Sequence, residues 1–316
     1  MVADLTAQVA ERYELPGGAV FPESIGVDAA TGDAYVGSLA DGTLYRLAAG
    51  GGVQVWSPPG QDGRGSAAGV KADSRGRLWV AGGYEGTLYV YDLRHQTLLA
   101  RGDVGARPSC VNDIAFGPDG TAYVTDSIVP VLFRADPESL ELKPWAKLAE
   151  QGVPWPDGLN LNGIVLAPDG RHLIACQTNL GRFWRLELAS GTVSEVVLAG
   201  GPLEHCDGLA IDGTTLYVAV NARHEIAVVT LAEDGSSGLV TGRIRSGAFA
   251  FPTAIACRAA QLLVVNGQLD GMGGSPSLPF TVVAIPARGP VMDAHDLAVT
   301  RSAGGSAGYD DTGESS

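Results

Sequence analysis

Short apolar runs separated by turn residues recur along most of the chain. An apolar strand such as "DIAFG" or "GIVLA" opens each group, and a tight turn such as "SRG" or "PDG" follows in most groups. The aligned apolar positions are Ile25, Val70, Ile114, Ile164, Leu209 and Ile255, which lie 44 to 50 residues apart. A repeat of this length, made of strands and turns, is typical of a β-propeller blade.

Three further runs complete each repeat. A second run such as "RLWVAG" or "TLYVAV" and a third such as "GTLYVYDL" or "EIAVVTL" are rich in β-branched and aromatic residues. Most repeats add a more polar fourth run, such as "VQVWSP" or "TVSEVVLA". Nothing has the 3.6-residue apolar period of a long helix. The pattern predicts an all-β fold, a six-bladed β-propeller with four antiparallel strands per blade, in a single domain over residues 1–301.

The two ends of the chain raise the question of closure. The segment "VAERYELPG" before the first repeat could supply the missing fourth strand of the last blade, and "AHDLAVTR" could fill the same place. Either pairing would remove exposed sheet edges. Residues 302–316, "SAGGSAGYDDTGESS", form a low-complexity tail that is predicted to be disordered.

Charge and cysteine content narrow the classes of partner. The 316-residue chain has a formal net charge of −14, which argues against a nucleic acid or an anionic membrane as partner. We therefore expect a small-molecule substrate; the sequence makes no prediction of oligomeric state. The N-terminus lacks the pattern of a signal peptide, and the four cysteines have no metal-type spacing. Both features favour a cytoplasmic protein with reduced thiols.

One repeat position lies two residues before each aligned apolar residue and is polar in five of the six repeats. Because the innermost strands of a propeller line its central channel, residues at one repeat phase should form a ring. This channel ring consists of Glu23, Ala68, Asn112, Asn162, Asp207 and Thr253.

Four of the six ring positions carry oxygen ligands, namely Glu23, Asn112, Asn162 and Asp207. Carboxylate and amide oxygens suit Ca²⁺, with Mg²⁺ or Mn²⁺ possible, and the absence of His and Cys from the ring disfavours zinc. Each residue alone is also a common turn residue. Their shared phase is what favours one divalent-cation site, and this inference requires the repeats to be aligned without a one-residue slip.

The same motifs resemble a known family. "FPESIGVD", "VNDIAFGPDG", "LNGIVLAPDG" and "HCDGLAIDGTTLYVAVN" are similar to the senescence marker protein/gluconolactonase family of six-bladed propellers over residues 16–290. That resemblance implies a calcium-dependent lactonase whose cation is held by a Glu, two Asn and an Asp, here Glu23, Asn112, Asn162 and Asp207. Related diisopropylfluorophosphatase and paraoxonase propellers use a similar ring.

The chain departs from the sugar-lactonase members near the third repeat. Those members have an Arg where this chain has Cys110, and an acidic residue in a loop that here reads "DSIVPVLF". A less polar lactone or ester is therefore expected as substrate. The predicted substrate-binding residues are Asn112, Asp126 and Trp155.

Asp207 and His205 are the predicted catalytic residues. Asp207 would act as general base or nucleophile, and its pKa is expected to be depressed by the cation. His205 could move a proton near the channel mouth, or be an ordinary loop histidine. Cys206 is expected to be a buried thiol rather than a nucleophile.

Three alternatives to a metal-dependent lactonase remain on the same fold. They are a phosphotriester hydrolase that uses the same cation, a non-hydrolytic biosynthetic enzyme of the strictosidine synthase type, and a non-enzymatic scaffold with a structural cation. Fold alone does not separate them.

Overall fold

Strands make up nearly all of the regular structure. The computed structural model describes residues 2–287, and these contain 26 strands. The helical segments of that range are four three-residue 3-10 turns, at Gln61–Gly63, Ala149–Gln151, Asn221–Arg223 and Leu269–Gly271. No helix in this part of the chain is long and apolar enough to cross a membrane. The all-β prediction is confirmed.

The strands form six sheets, one for each blade. Two strands precede the first repeat, β1 (Ala3–Thr6) and β2 (Glu11–Leu15). Blade 1 contains β3 (Pro22–Val27), β4 (Ala34–Ser38), β5 (Leu44–Leu47) and β6 (Val53–Ser57). Blade 2 contains β7 (Gly69–Ala72), β8 (Arg77–Ala81), β9 (Thr87–Asp92) and β10 (Thr97–Asp103). Blade 3 contains β11 (Val111–Phe116), β12 (Ala122–Asp126), β13 (Val131–Ala135) and β14 (Leu142–Lys147).

The remaining blades follow in chain order. Blade 4 contains β15 (Leu161–Leu166), β16 (His172–Gln177), β17 (Arg182–Glu187) and β18 (Val193–Glu195). The short strand β19 (Val197–Ala199) comes next. Blade 5 contains β20 (Cys206–Asp212), β21 (Thr215–Val220), β22 (Glu225–Leu231) and β23 (Ser237–Arg245). Blade 6 contains β24 (Pro252–Arg258), β25 (Gln261–Asn266) and β26 (Phe280–Pro286). Six blades are thus confirmed.

The N-terminal segment closes the propeller. β2 pairs antiparallel with β26, from Glu11 opposite Ala284 to Leu15 opposite Phe280, and is the fourth strand of blade 6. Tyr13 and Leu15 are buried on one side of β2 and Glu14 is exposed on the other, as alternation on a half-covered strand requires. Of the two closures considered, this one is formed. The segment "AHDLAVTR" and the tail 302–316 lie outside the described residues.

Blade 5 has two additional strands that the repeat pattern did not predict. β1 and β19 both pair parallel with its outermost strand β23, at opposite ends of that strand. The run "TVSEVVLA", expected to be one strand of blade 4, therefore divides at Val196 between two blades. Ion pairs help to hold β1, because Arg245 lies 2.6 Å from Asp4 and 2.7 Å from the buried Glu225.

One apolar cluster fills each gap between neighbouring blades. Between blades 4 and 5, for example, Ile174 and Phe183 pack with Leu209 and Val218. The cluster between blades 6 and 1 unites the two ends of the described chain. Second strands such as β12 and β21 are buried at every position because they lie between two blades, which explains their continuous apolar runs.

Candidate metal and active site

The channel-ring residues lie where the sheets are irregular. At the start of five innermost strands the pairing with the second strand shifts register, between Pro22 and Ser24, Val111 and Ile114, Leu161 and Ile164, Cys206 and Leu209, and Pro252 and Ala254. Glu23, Asn112, Asn162, Asp207 and Thr253 each fall inside one of these shifts. Bulges re-aim side chains and are common beside active sites. The shared irregularity agrees with the repeat alignment that defines the ring.

Glycines allow the innermost strands to approach one another at this level. A Cβ on Gly69 would lie 2.0 Å from the carbonyl oxygen of Asn112, and one on Gly163 would lie 2.4 Å from that of Asp207. Both distances are far below van der Waals contact, so a side chain at either place would force the blades apart. The glycine of the fourth-repeat "NG", Gly163, is thus needed for packing, and Asn162 before it is buried with an exposed fraction of 5%.

Ser127 fixes the orientation of the Asn112 amide. The Ser127 hydroxyl donates its single hydrogen to the carbonyl of Leu161 at 2.6 Å, so its oxygen accepts from Asn112 Nδ2 at 3.0 Å. The NH₂ group of Asn112 therefore faces Ser127, and its Oδ1 remains as an acceptor with no hydrogen to offer.

Thr178 does the same for Asn162 in the next blade. Its hydroxyl donates to the carbonyl of Cys206 at 2.7 Å and accepts from Asn162 Nδ2 at 3.2 Å. We call these two arrangements the amide relays, Ser127 with Asn112 and Thr178 with Asn162. Each relay also ties a ring residue to the strand that carries the following ring position. Both leave an amide oxygen available as a cation ligand.

Asp207 has one satisfied and one unsatisfied carboxylate oxygen. Oδ2 accepts from Asn221 Nδ2 at 2.8 Å, while Oδ1 is buried and has no hydrogen-bond partner among residues 2–287. Burial raises the pKa of Asp207 to about 7. The hydrogen bond from Asn221 and the nearby amide of Asn162 lower this pKa, and the charge of Asp113 raises it. A buried, unpaired carboxylate oxygen is costly unless something positive meets it.

Glu23 is a second buried carboxylate of the ring. Its exposed fraction is 7%, and the described part of the chain offers its carboxylate no hydrogen bond. Burial raises the pKa of Glu23 well above its usual value, and the nearby charges of Asp207 and Asp113 raise it further, while Lys71 opposes them. A divalent cation between Glu23 and Asp207 would relieve both carboxylates. The residues present therefore fit such an ion.

The donor set of this ring is oxygen only. Its candidate ligands are two carboxylates and two amides. Within residues 2–287 no group of three or more His, Cys, Asp or Glu side chains is arranged to hold a metal. The other two ring positions contribute no oxygen ligand. Ala68 is apolar, and the Thr253 hydroxyl donates to the carbonyl of Pro22 at 3.2 Å.

The Asp126 carboxylate is engaged in hydrogen bonds within the protein. Its side chain is fully buried, and it accepts hydrogen bonds from Ser109, Cys110, Ile128 and Val129. Gln177 and Asn266, the last residues of β16 and β25, anchor loops in the same way. These hydrogen bonds within the protein give Asp126 a part in loop structure. Its predicted contact with substrate stays a prediction.

Trp155 and His205 lie in loops at the ring end of the channel. Trp155 Nε1 donates to the carbonyl of Ile128 at 2.8 Å, and the half-buried ring packs against the cluster between blades 3 and 4. Its donor is occupied, so Trp155 offers apolar surface. His205 is exposed, with a φ of 65°, and its backbone joins Thr178 and Asn221. Its role as a proton carrier remains a prediction.

The cysteines do not form disulfides. All four thiols are free, and Cys110, Cys176 and Cys206 are buried. Burial, reinforced by the charges of Glu23 and Asp126, raises the pKa of Cys110 to about 12, so the position where the sugar lactonases have Arg is an uncharged thiol here.

Three residues that hydrogen-bond to the ring were not predicted from the sequence, namely Ser127, Thr178 and Asn221. Each directly follows the second strand of its blade, after β12, β16 and β21. Their common phase was visible in the repeats. Their hydrogen bonds to the ring residues were not visible in the sequence, because those bonds depend on contacts between strands.

Comparison with known proteins identifies the family of this chain. The family model "SMP-30/Gluconolactonase/LRE-like region" matches residues 21–263, which is well over half of the chain. The chain belongs to this family. No curated protein matches it.

Solved structures with the same fold share little sequence with this family member. A calcium-binding protein, regucalcin, from Agrobacterium tumefaciens is 16% identical, with a TM-score of 0.67 over 91% of this chain and 98% of that one. A gluconolactonase from Xanthomonas campestris is 15% identical, with a TM-score of 0.63 and coverages of 89% and 95%. Virginiamycin B lyase from Staphylococcus aureus is 14% identical, with a TM-score of 0.61 and 81% of each chain. Such likenesses establish the fold alone.

Proposed function

We propose that this protein is a divalent-cation-dependent hydrolase that opens a lactone or a related ester. The observation that carries the proposal is the buried, unpartnered Oδ1 of Asp207, beside two amides whose nitrogens are engaged by the relays. Glu23, Asn112, Asn162 and Asp207 would hold the ion, and Ca²⁺ suits this donor set best. When bound, the ion supplies Lewis-acid polarisation of a carbonyl oxygen.

Asp207 is the residue we assign to the reaction itself. Asn221 holds Oδ2 at 2.8 Å, which fixes the carboxylate plane and leaves Oδ1 toward the ring. Oδ1 would accept a proton from attacking water, or attack the carbonyl carbon directly. His205, exposed at the mouth and two residues away, would exchange that proton with solvent.

The surroundings of the ring favour a substrate with little polar surface. Cys110 is an uncharged thiol, Ile128, Val129 and Pro130 are half-buried, and the Trp155 donor is already occupied. Family membership and the gluconolactonase neighbour support lactone chemistry in general. The missing Arg argues against a sugar lactone.

The test is an Asp207→Asn variant, which keeps size and shape but removes the charge and the base. We expect turnover of a panel of alkyl and aryl lactones, followed by pH-stat in the presence of calcium, to fall by about a thousandfold or more. Asp212→Asn is the matched control, because Asp212 ends the same strand and is exposed. Turnover by Asp207→Asn equal to that of the control would refute the proposal.

Two alternatives have their own outcomes in the same experiment. Hydrolysis of phosphotriesters and not of lactones would keep the cation and Asp207 but change the reaction. Calcium binding that raises the unfolding temperature, with no turnover of either class, would indicate a scaffold with a structural cation. Calorimetric titration of calcium into chelator-treated protein separates these outcomes from a ring that binds nothing.

A further inference from the structure

Asp113 and Lys71 form an ion pair just below the channel ring. Asp113 follows Asn112 on β11, and its Oδ1 lies 3.0 Å from the Lys71 ammonium of the neighbouring blade. The two side chains are 6% and 19% exposed. Asp113 Oδ2 also accepts a hydrogen bond from the backbone of Ile164 at 3.2 Å, so the carboxylate bridges three blades.

This pair lies within the electrostatic field of the ring. Asp113 directly follows the ring residue Asn112 on β11, and Lys71 lies within ion-pair distance of Asp113, so both charges lie close to the ring. Lys71 also lines the apolar cavity of about 280 Å³ farther along the channel, so its side chain rises from that level toward the ring. Charges that meet in a buried channel interact strongly, because little water screens them.

The ion pair between Asp113 and Lys71 affects the net charge near the ring. Asp113 and Lys71 cancel, which leaves the two negative charges of Glu23 and Asp207 opposite the two positive charges of one divalent ion. Without Lys71 the same space would hold three carboxylates. A buried charge is tolerated only when it is paired. The Lys71 ammonium supplies the positive charge that pairs with Asp113, which a second metal ion would otherwise have to supply.

We propose that Lys71 is a fixed internal cation of the channel that neutralises Asp113 and so limits the ring to the charge of a single divalent ion. This inference rests on the proposed function, since it concerns the affinity of the same ring. Lys71 is a positioning residue here, acting on the ion through the field and not through contact with substrate.

A double-mutant cycle read by calcium calorimetry tests the proposal. Lys71→Met frees the charge of Asp113, and we expect calcium affinity to rise at least about tenfold or a second calcium to bind. Asp113→Asn leaves an unpaired ammonium near the ring, so affinity should fall about tenfold; the amide oxygen can still accept from Ile164. The variant with both changes should return to within about threefold of the wild type.

The control is Lys147→Met, which removes an exposed ion pair with Glu150 on blade 3 and should leave calcium affinity unchanged. A purely structural role for Lys71 predicts lower unfolding temperatures without opposite changes in affinity, and that result would overturn the proposal. If Lys71→Met fails to fold, the step from Asp113→Asn to the double variant still decides, because removal of Lys71 should then raise affinity about tenfold.

Failure of the proposed function can be distinguished from failure of the proposal for Lys71. A wild-type protein that binds no divalent cation removes the hydrolase and this inference together. A wild type that binds one calcium and turns over lactone, with variants whose affinities do not diverge, refutes only the role of Lys71.

Discussion

The two ends of the central channel are built from the same six strands but differ in chemistry. At the ring end the ladders of five innermost strands shift register, and the side chains there are two carboxylates, two amides, a threonine and an alanine. A few residues farther on, the ladders are regular and the side chains are apolar, among them Ile25, Ile114, Ile164, Leu209 and Ile255 around the cavity.

The difference shows what a bulge contributes. Regular pairing alternates side chains between the two faces of a blade, so residues of an innermost strand pack against neighbouring blades. A bulge breaks that alternation at one place and allows a polar side chain to turn away from the apolar clusters. The ring is polar where the ladder is broken, and the far end is apolar where it is intact.

The largest effect expected from this comparison, after loss of Asp207 itself, is at the amide relays. Thr178→Val removes the hydroxyl that orients Asn162 but keeps the side-chain shape. We expect calcium affinity by calorimetry to fall about 10- to 100-fold, as when a group that orients a metal ligand is removed. Turnover at saturating calcium should be largely retained.

Thr253→Val is the matched control for that prediction. It removes a buried hydroxyl from the ring itself, but one that bonds only the Pro22 carbonyl and orients no amide. Its calcium affinity should stay within about twofold of the wild type. Equal losses in both variants would mean that the relays do not set the amide orientation.

A pH effect should follow from the two ring carboxylates. Asp207 has a pKa of about 7 in the folded protein against 3.8 ordinarily, so without calcium the folded state binds more protons than the unfolded state between these values. The free energy of unfolding of the metal-free protein should therefore fall as the pH rises from about 4 to about 7. The raised pKa of Glu23 should lower the free energy of unfolding in the same direction as the pH rises.

Calcium competes with these protons, so its stabilising effect should grow over the same pH range. At about a hundredfold excess over its Kd, calcium should raise the unfolding temperature at pH 8 by about 5–10 °C and by much less at pH 5. Thermal unfolding followed by circular dichroism measures both. A calcium effect that is independent of pH would contradict protonation of the ring.

The smallest effect on the site is expected at the far end of the channel. Phe116→Ala removes a half-buried ring at the end of β11, which lines the cavity and makes an edge contact with Trp79 at 5.8 Å between centroids. We expect a loss of about 1–3 kcal/mol of stability in denaturant unfolding, with calcium affinity within about twofold of the wild type. A large change in affinity would show that the two ends are coupled.

The repeat pattern was sufficient for the fold, and it defined the ring positions as a prediction. Groups of short strands separated by Gly, Asp and Pro repeat every 44 to 50 residues, and this repeat predicted six blades. It could do so because strand propensity and turn chemistry are properties of short segments. Equivalent positions in a closed ring of blades must lie together, which is why Glu23, Asn112, Asn162 and Asp207 could be named from spacing alone. Asp126 was chosen for proximity in sequence and not for repeat phase, and its contact with substrate stays a prediction.

Tertiary structure decided what spacing does not encode. Whether β2 or a later segment closes blade 6 depends on which edge each segment can reach, and β2 reaches β26. The orientation of Asn162 depends on a hydroxyl 16 residues away that is itself held by the following blade. The pairing of Lys71 with Asp113 joins neighbouring blades through the channel. Sequence determines which side chains are available at each phase, whereas hydrogen bonds and charges between blades exist only once the ring of blades is closed.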